Sequence, residues 1–216
     1  MRRLAALLFA LTTLTTSTFA LAEQGVPDKE GKRGAREGGG LLAGAKFGGI
    51  IPFGGLSPNI TGAVEVGYVA PWLHRSFAVT ATVDYAAPQK SGSESDPRVT
   101  GGTYTWHLTT QELNVMPVLM YRMTFLGRVT PYVGVGPRIY FLKSTVRSNE
   151  GTPSFSETTE QSMKVGVGIP LGAEFQLGPG GITGELLFQY GTLDHVATGA
   201  SNTGGLNILI GYRFLL

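Results

Sequence analysis

The sequence contains no cysteine. That removes a disulfide scaffold, a thiolate zinc site, a CxxC redox centre, a thiol nucleophile and the acylated Cys of a lipoprotein. Charge is also scarce. Asp, Glu, Lys and Arg make up 15% of the 216 residues, against about 25% in an ordinary globular chain. Histidine occurs three times without metal-ligand spacing, and no GxxxxGK(S/T) phosphate loop is present. The 32 glycines and 12 prolines follow no three-residue period, so collagen is excluded. A mean hydropathy of +0.10 is too apolar for a disordered chain or a coiled coil.

The N-terminus reads as an address. Met1-Arg2-Arg3 precedes the apolar run Leu4 to Leu11, and Ala20-Leu21-Ala22 stands before Glu23. A basic start, an apolar centre and a small-x-small site make a secretory signal over 1–22, cleaved after Ala22. Nothing later approaches the roughly 20 apolar residues of a membrane helix. Removing Arg2 and Arg3 leaves 15 cations against 15 anions, which takes away the case for a nucleic-acid partner. Residues 23–40 hold charges and glycines with almost nothing to bury, so they read as a flexible periplasmic leader.

From Leu41 onward the period is two, not 3.6. Eight segments each set an apolar parity against one of charges, amides and glycines. Val64, Val66 and Tyr68 alternate with Ala63, Glu65 and Gly67; Leu206, Ile208, Ile210, Tyr212 and Phe214 alternate with Asn207, Leu209, Gly211 and Arg213. The apolar faces match strands of 9–11 residues crossing a bilayer. Aromatics gather near strand ends, with Tyr68, Trp72, Phe77, Tyr121, Phe175, Tyr212 and Phe214 at one rim and Tyr85, Phe141 and Tyr190 at the other. The links alternate, with 52–58, 88–103, 146–159 and 194–203 polar and mostly long, and 70–75, 125–129 and 178–181 tight. A sandwich has no reason to sort its links this way. The pattern predicts an all-β, eight-stranded, antiparallel up-and-down transmembrane β-barrel over 41–216, with N- and C-termini periplasmic.

Pro131-Tyr-Val-Gly-Val-Gly-Pro137 and Leu206-Asn-Ile-Leu-Ile-Gly-Tyr-Arg-Phe214 resemble the small outer-membrane β-barrel superfamily, the OmpA- and OmpX-like eight-stranded proteins. The resemblance implies a cell outer membrane location and contact with outer-membrane lipid. It also implies a C-terminal signal for the barrel-assembly machinery at Gly211, Tyr212 and Phe214. Here Leu215-Leu216 follow the final aromatic. No peptidoglycan-binding sequence follows the barrel, so that anchoring role does not carry over.

Turning the polar parity inward places ten ionisable residues in the lumen: Lys46, Arg122, Arg138, Lys164 and Arg213 against Glu65, Asp84, Glu112, Glu174 and Glu185. They sum to zero, and none falls on the apolar parity. Eight strands leave a bore that side chains fill, so each charge requires a partner. Strand direction sorts them into neutral tiers: Arg122, Glu174, Glu185 and Arg213 lowest, Lys46, Glu65, Glu112 and Arg138 in the middle, Asp84 and Lys164 above. A tight turn at 178–181 would set Glu174 directly beside Glu185, bridged by Arg213, or else by Arg122 or Arg138. The inward Gly134, Gly136, Gly166, Gly168 and Gly172 leave space for water or for long Arg side chains.

Catalysis has little to stand on. His74-Arg75-Ser76 lies in a short turn without a matching acid, His195 follows Asp194 in the last outer loop, and His107 near Thr109 and Glu112 is the one rim candidate. The reading is therefore a non-enzyme with no cofactor, no metal and no catalytic residue. A charge-balanced, occluded barrel would serve envelope structure or surface interaction through its outer loops, whose ligand is unknown. Monomeric assembly is expected. The alternatives are a narrow channel for ions or small solutes and an outer-membrane lipid-modifying enzyme.

Overall fold

β-branched and aromatic residues dominate the alternating segments, and they form nine strands: β1 (Leu41–Pro52), β2 (Asn59–Val69), β3 (Phe77–Ala86), β4 (Gln89–Ser95), β5 (Thr103–Arg122), β6 (Val129–Ser148), β7 (Thr158–Leu177), β8 (Gly180–Gly191) and β9 (Gly205–Leu215). A computed structural model describes residues 40–70, 76–95, 97, 102–148, 158–192 and 202–216. All of them belong to one compact unit, Gly38–Leu216. The expected signal (1–22) and all of the leader except Gly40 lie outside the described residues.

Every pairing is antiparallel between sequence neighbours, and β1 pairs with β9 to seal the sheet. β4 is not a ninth stave. Ala86 faces Glu112 and Gln89 faces Thr109 on the same strand, so β4 continues β3 along β5 without a register change. The interruption falls at Ala87-Pro88, where proline has no N–H to give the ladder. The closed barrel therefore has eight staves, the third in two pieces.

Alternation sorts the two faces. On β2, Glu65 is 2% exposed while Val64 and Val66 on either side are 48% and 60% exposed. The outward parity carries Phe47, Val79, Leu119, Val135, Val165, Ile169, Phe188, Ile208 and Ile210 around the whole wall. A belt this large requires a non-aqueous surrounding. Exposed Tyr121, Phe175 and Phe214 ring one end, while Tyr85, Phe141 and Tyr190 ring the other. Trp72 lies outside the described residues.

The end that holds Leu41 and Leu215 also holds the short links and is called the turn rim here. There Gly178 and Pro179 join β7 to β8 as a two-residue hairpin, with Gly178 at φ +63°. A left-handed first central residue is what such a tight turn requires, and glycine takes it without strain. Because Leu177 pairs with Gly180, the turn centre lies one residue earlier than the sequence suggests.

The opposite end, the loop rim, departs from expectation. Much of what reads as the loops 88–103 and 146–159 is strand: β4 covers 89–95, β6 runs to Ser148 and β7 starts at Thr158. β5, β6 and β7 are 20 residues each, against 10 to 12 for β1, β2, β3, β8 and β9. The outward parity of β5 turns polar above Leu113, through Gln111, Thr109, His107 and Thr105. An apolar-parity rule stops there although the Thr/Tyr/Trp-rich strand continues.

Candidate functional site

The polar parity builds the site inside the bore. Glu65 on β2 accepts from Arg213 Nε (2.8 Å) and Nη2 (3.2 Å) and from Lys46 Nζ (2.7 Å). Lys46 also donates to Glu185 (2.7 Å), which accepts from the Tyr132 hydroxyl (2.8 Å). Arg213 reaches Glu174 at 3.2 Å, and Arg122 meets the same Glu174 oxygen at 3.2 Å. The result is one chain of alternating sign: Arg122, Glu174, Arg213, Glu65, Lys46, Glu185, ending on Tyr132. Its members come from seven of the eight staves. The Arg213 guanidinium also lies 4.6 Å from the Tyr132 ring centre, a cation–π contact.

Glycine sets the spacing. Gly44 stands between Arg213 and Glu65 in one cross-strand row, as Gly172 stands between Tyr132 and Glu185. Gly211 lies beside Lys46, whose stem crosses it toward Glu185. A Cβ on Gly172 would come within 2.7 Å of the Tyr132 ring, and one on Gly211 within 2.8 Å of Lys46 Cγ. Gly211 thus has a lumen role of its own, with Tyr212 and Phe214 packed edge to face at 4.7 Å beside it.

Nearer the loop rim a second group joins the remaining stave. Asp84 on β3 accepts from Arg138 (2.6 Å) and Asn114 (2.9 Å), and Arg138 lies 5.3 Å from the Tyr140 ring centre. Glu112 is 4% exposed and has no ion-pair partner among the described residues. Lys164 points inward, half-buried and engaged, with Tyr140 as its cross-strand neighbour.

Several expectations are corrected. Glu174 and Glu185 are not side by side: Glu174 faces Thr183 and Glu185 faces Gly172, a consequence of the shorter hairpin. Arg213 therefore bridges Glu174 to Glu65 and not to Glu185. The neutral tiers also dissolve, because Arg138 goes to Asp84 and leaves Glu112 alone. Over three of the inward glycines of β6 and β7 the space expected for water or arginine is taken by other side chains: Met116 over Gly168, Val118 over Gly134 and Tyr132 over Gly172.

Those fillers belong to a feature the sequence reading missed. Leu42, Val69, Ala78, Met116, Val118, Met120, Tyr132 and Leu187 form an apolar cluster inside the wall. The signal was present on β5, where Met116, Val118 and Met120 interrupt the polar parity between Asn114 and Arg122.

The catalytic alternatives gain nothing. His107 is exposed on the outer face whereas Glu112 lies inside, so no joint rim site exists. Ser91 Oγ is 3.0 Å from His107 Nδ1, but the neighbour of His107 on β6 is Arg147 and not the acid that would orient an imidazole base. His74 and His195 lie outside the described residues.

No family model and no curated protein matches the sequence. Solved structures do. A major outer membrane protein from Thermus thermophilus superimposes with a TM-score of 0.55 at 15% identity, covering 82% of this chain and 99% of that one. The chain folds as a small outer-membrane β-barrel. Neisserial surface protein A gives 0.48 at 14% identity over 82% and 97% of the two chains. The outer membrane protein OprG from Pseudomonas aeruginosa gives 0.43 at 11% over 82% and 93%. At such identities the likeness concerns the fold.

Proposed function

We propose that this chain is an outer-membrane protein, both termini periplasmic, that seals its own bore and offers the sheet beyond the loop rim as a surface for contact with a macromolecule. It does so as a monomer surrounded by outer-membrane lipid, after insertion by the barrel-assembly machinery, and without catalysis. One observation carries the reading. β7 runs eight residues, 158–165, past its last pairing with β8, while β4, β5 and β6 extend alongside it. At about 3.3 Å per residue that is about 26 Å of strand beyond the short staves. Among the described residues, β4 pairs only with β5, and 158–165 pair only with β6. An open sheet edge is a template for another strand, and a rigid scaffold holding polar segments is where recognition concentrates.

Closure of the bore rests on burial. Arg138, Arg213, Met116 and Leu187 all point inward and are 0–2% exposed, whereas a wet pore would leave such side chains hydrated. Two measurements test the proposal. Planar-bilayer recording is expected to show no steady conductance; a large open current favours the channel alternative and overturns the sealed bore. Replacing 91–104 and 145–160 with tight turns is expected to leave a heat-modifiable barrel. It should also abolish attachment of expressing cells to a panel of protein- and glycan-coated surfaces; attachment equal to that of the full chain overturns the surface role.

A further inference from the structure

A cleft of about 40 Å³ opens at the loop rim of the bore. Its lining follows the ladder in rows, deepest first. Glu112 faces Leu142, Thr110 faces Ser144 two residues higher on β5, and Lys90 faces Leu108 two residues higher again. Ile50 of β1 lines it from across the bore. The row below Glu112 holds Asn114 and Tyr140, both fully buried, so the cleft is closed at its inner end.

The two ends of the cleft carry opposite charges that do not meet. Glu112 Oε2 is buried without a hydrogen-bond partner. Lys90 is exposed at the mouth, where its ammonium lies 3.7 Å from the place a Cβ on Gly55 would occupy. Ala86 faces Glu112, so Lys90 stands four positions further along the same stave, about 13 Å at 3.3 Å per residue. A buried carboxylate oxygen left without a donor is costly, and an occupant that reaches from one end to the other would satisfy both charges.

Size and chemistry define that occupant. At roughly 10–15 Å³ per water-sized body the cleft takes about three, which admits a slender chain and not a ring. The inner end offers three acceptors: the Glu112 carboxylate and the Thr110 and Ser144 hydroxyls, which lie 3.2 Å apart and keep free lone pairs after bonding each other. A primary ammonium brings three N–H donors and no acceptor. Leu142, Leu108 and Ile50 supply apolar wall for methylenes. At the mouth Lys90 suits an anionic group. A bare alkali ion would leave both Lys90 and the apolar wall unused.

We propose that the loop-rim cleft binds a short straight-chain zwitterion, a primary ammonium joined to a carboxylate by a few methylenes. The ammonium sits on Glu112, Thr110 and Ser144, and the carboxylate meets Lys90. This site lies in the mouth of the bore and goes beyond the surface role, whose loss would leave it standing.

Isothermal titration calorimetry of the whole barrel in detergent micelles at low salt provides the test. The probe is δ-aminovalerate. Glycine serves as a zwitterion too short to span, and pentylamine and valerate as chains with one charged end each. The probe is expected to bind with a single saturable isotherm, about tenfold more tightly than any of the three. Glu112→Gln, nearly isosteric, should abolish this binding. Lys90→Gln, at an exposed position that folding does not depend on, should reduce it to the level of pentylamine. Thr110→Val keeps both charges, should weaken the binding, and supplies a further variant; all three should remain heat-modifiable. Pentylamine binding as tightly as δ-aminovalerate, full binding by the Glu112→Gln or Lys90→Gln barrel, or no saturable binding of the probe overturns the proposal.

Discussion

Glu65 and Glu112 sit in the same bore at nearly the same burial, 2% and 4% exposed, yet their surroundings differ. Glu65 receives three hydrogen bonds from two cations. Glu112 Oε2 has none, and Arg138, the base beside it in the bore, is paired with Asp84. The difference lies in what stands beside each acid. Around Glu65, Gly44 and Gly211 clear a path for Arg213 and Lys46 to reach across the wall. Around Glu112, Leu108 and Leu142 are the bulky neighbours, and the base that lines the same cleft, Lys90, is exposed at its rim. Burial alone does not decide whether a charge is structural. Whether a long cationic side chain has room to arrive does.

The sharpest way to break this contrast is to remove Glu65. Glu65→Ala removes one of the two acids that each of Lys46 and Arg213 meets, and should cost about 3–5 kcal/mol, read from denaturant unfolding in lipid vesicles. An equal cost for Glu112→Ala would erase the distinction. Next in size is a charge on the other face. Val66→Arg beside Glu65 should cost about 2–4 kcal/mol near the bilayer midplane, and tolerance without loss would mean that this face does not meet hydrocarbon. Gly172→Val crowds the Tyr132 ring off Glu185 and should cost about 1–3 kcal/mol, with the tyrosine signal shifting in near-ultraviolet dichroism. Smallest is Glu112→Gln, within about 1 kcal/mol of wild type and on the stabilising side, because it removes a charge without breaking an ion pair.

Three prolines qualify the wall itself. Pro117, Pro137 and Pro170 occupy β5, β6 and β7, where proline is normally excluded from a sheet interior. The β5–β6 ladder lacks its pairing over 116–118 and 136–138, yet the register on both sides is unchanged. Pro117 and Pro137 face outward opposite each other. Met116 and Arg138, on the inner face of that gap, are both buried, and Arg138 reaches Asp84 on β3.

Much of the barrel was legible because a period of two answers a binary question. With hydrocarbon on one side and a narrow bore on the other, Val64 and Val66 can only face out and Glu65 only in. The same logic placed all ten charges on the inner wall. It failed where the binary condition lapses. Above Leu113 the outward face of β5 need not be apolar, so the strand there has the composition of a loop. At 178–181 the residue types announce a turn but leave its length open by two residues, and that error moved Glu185 away from Glu174.

Composition, parity and link length in this chain determined a closed antiparallel wall with an apolar exterior and charges within, because each follows from the local choice between two solvents. Pairing inside the bore was decided only by the tertiary structure. Partners such as Lys46 and Glu185 are 139 positions apart. They meet because strand stagger, a two-residue hairpin and glycines at chosen rows bring their long side chains into one crowded cross-section, where room as well as charge determines who reaches whom.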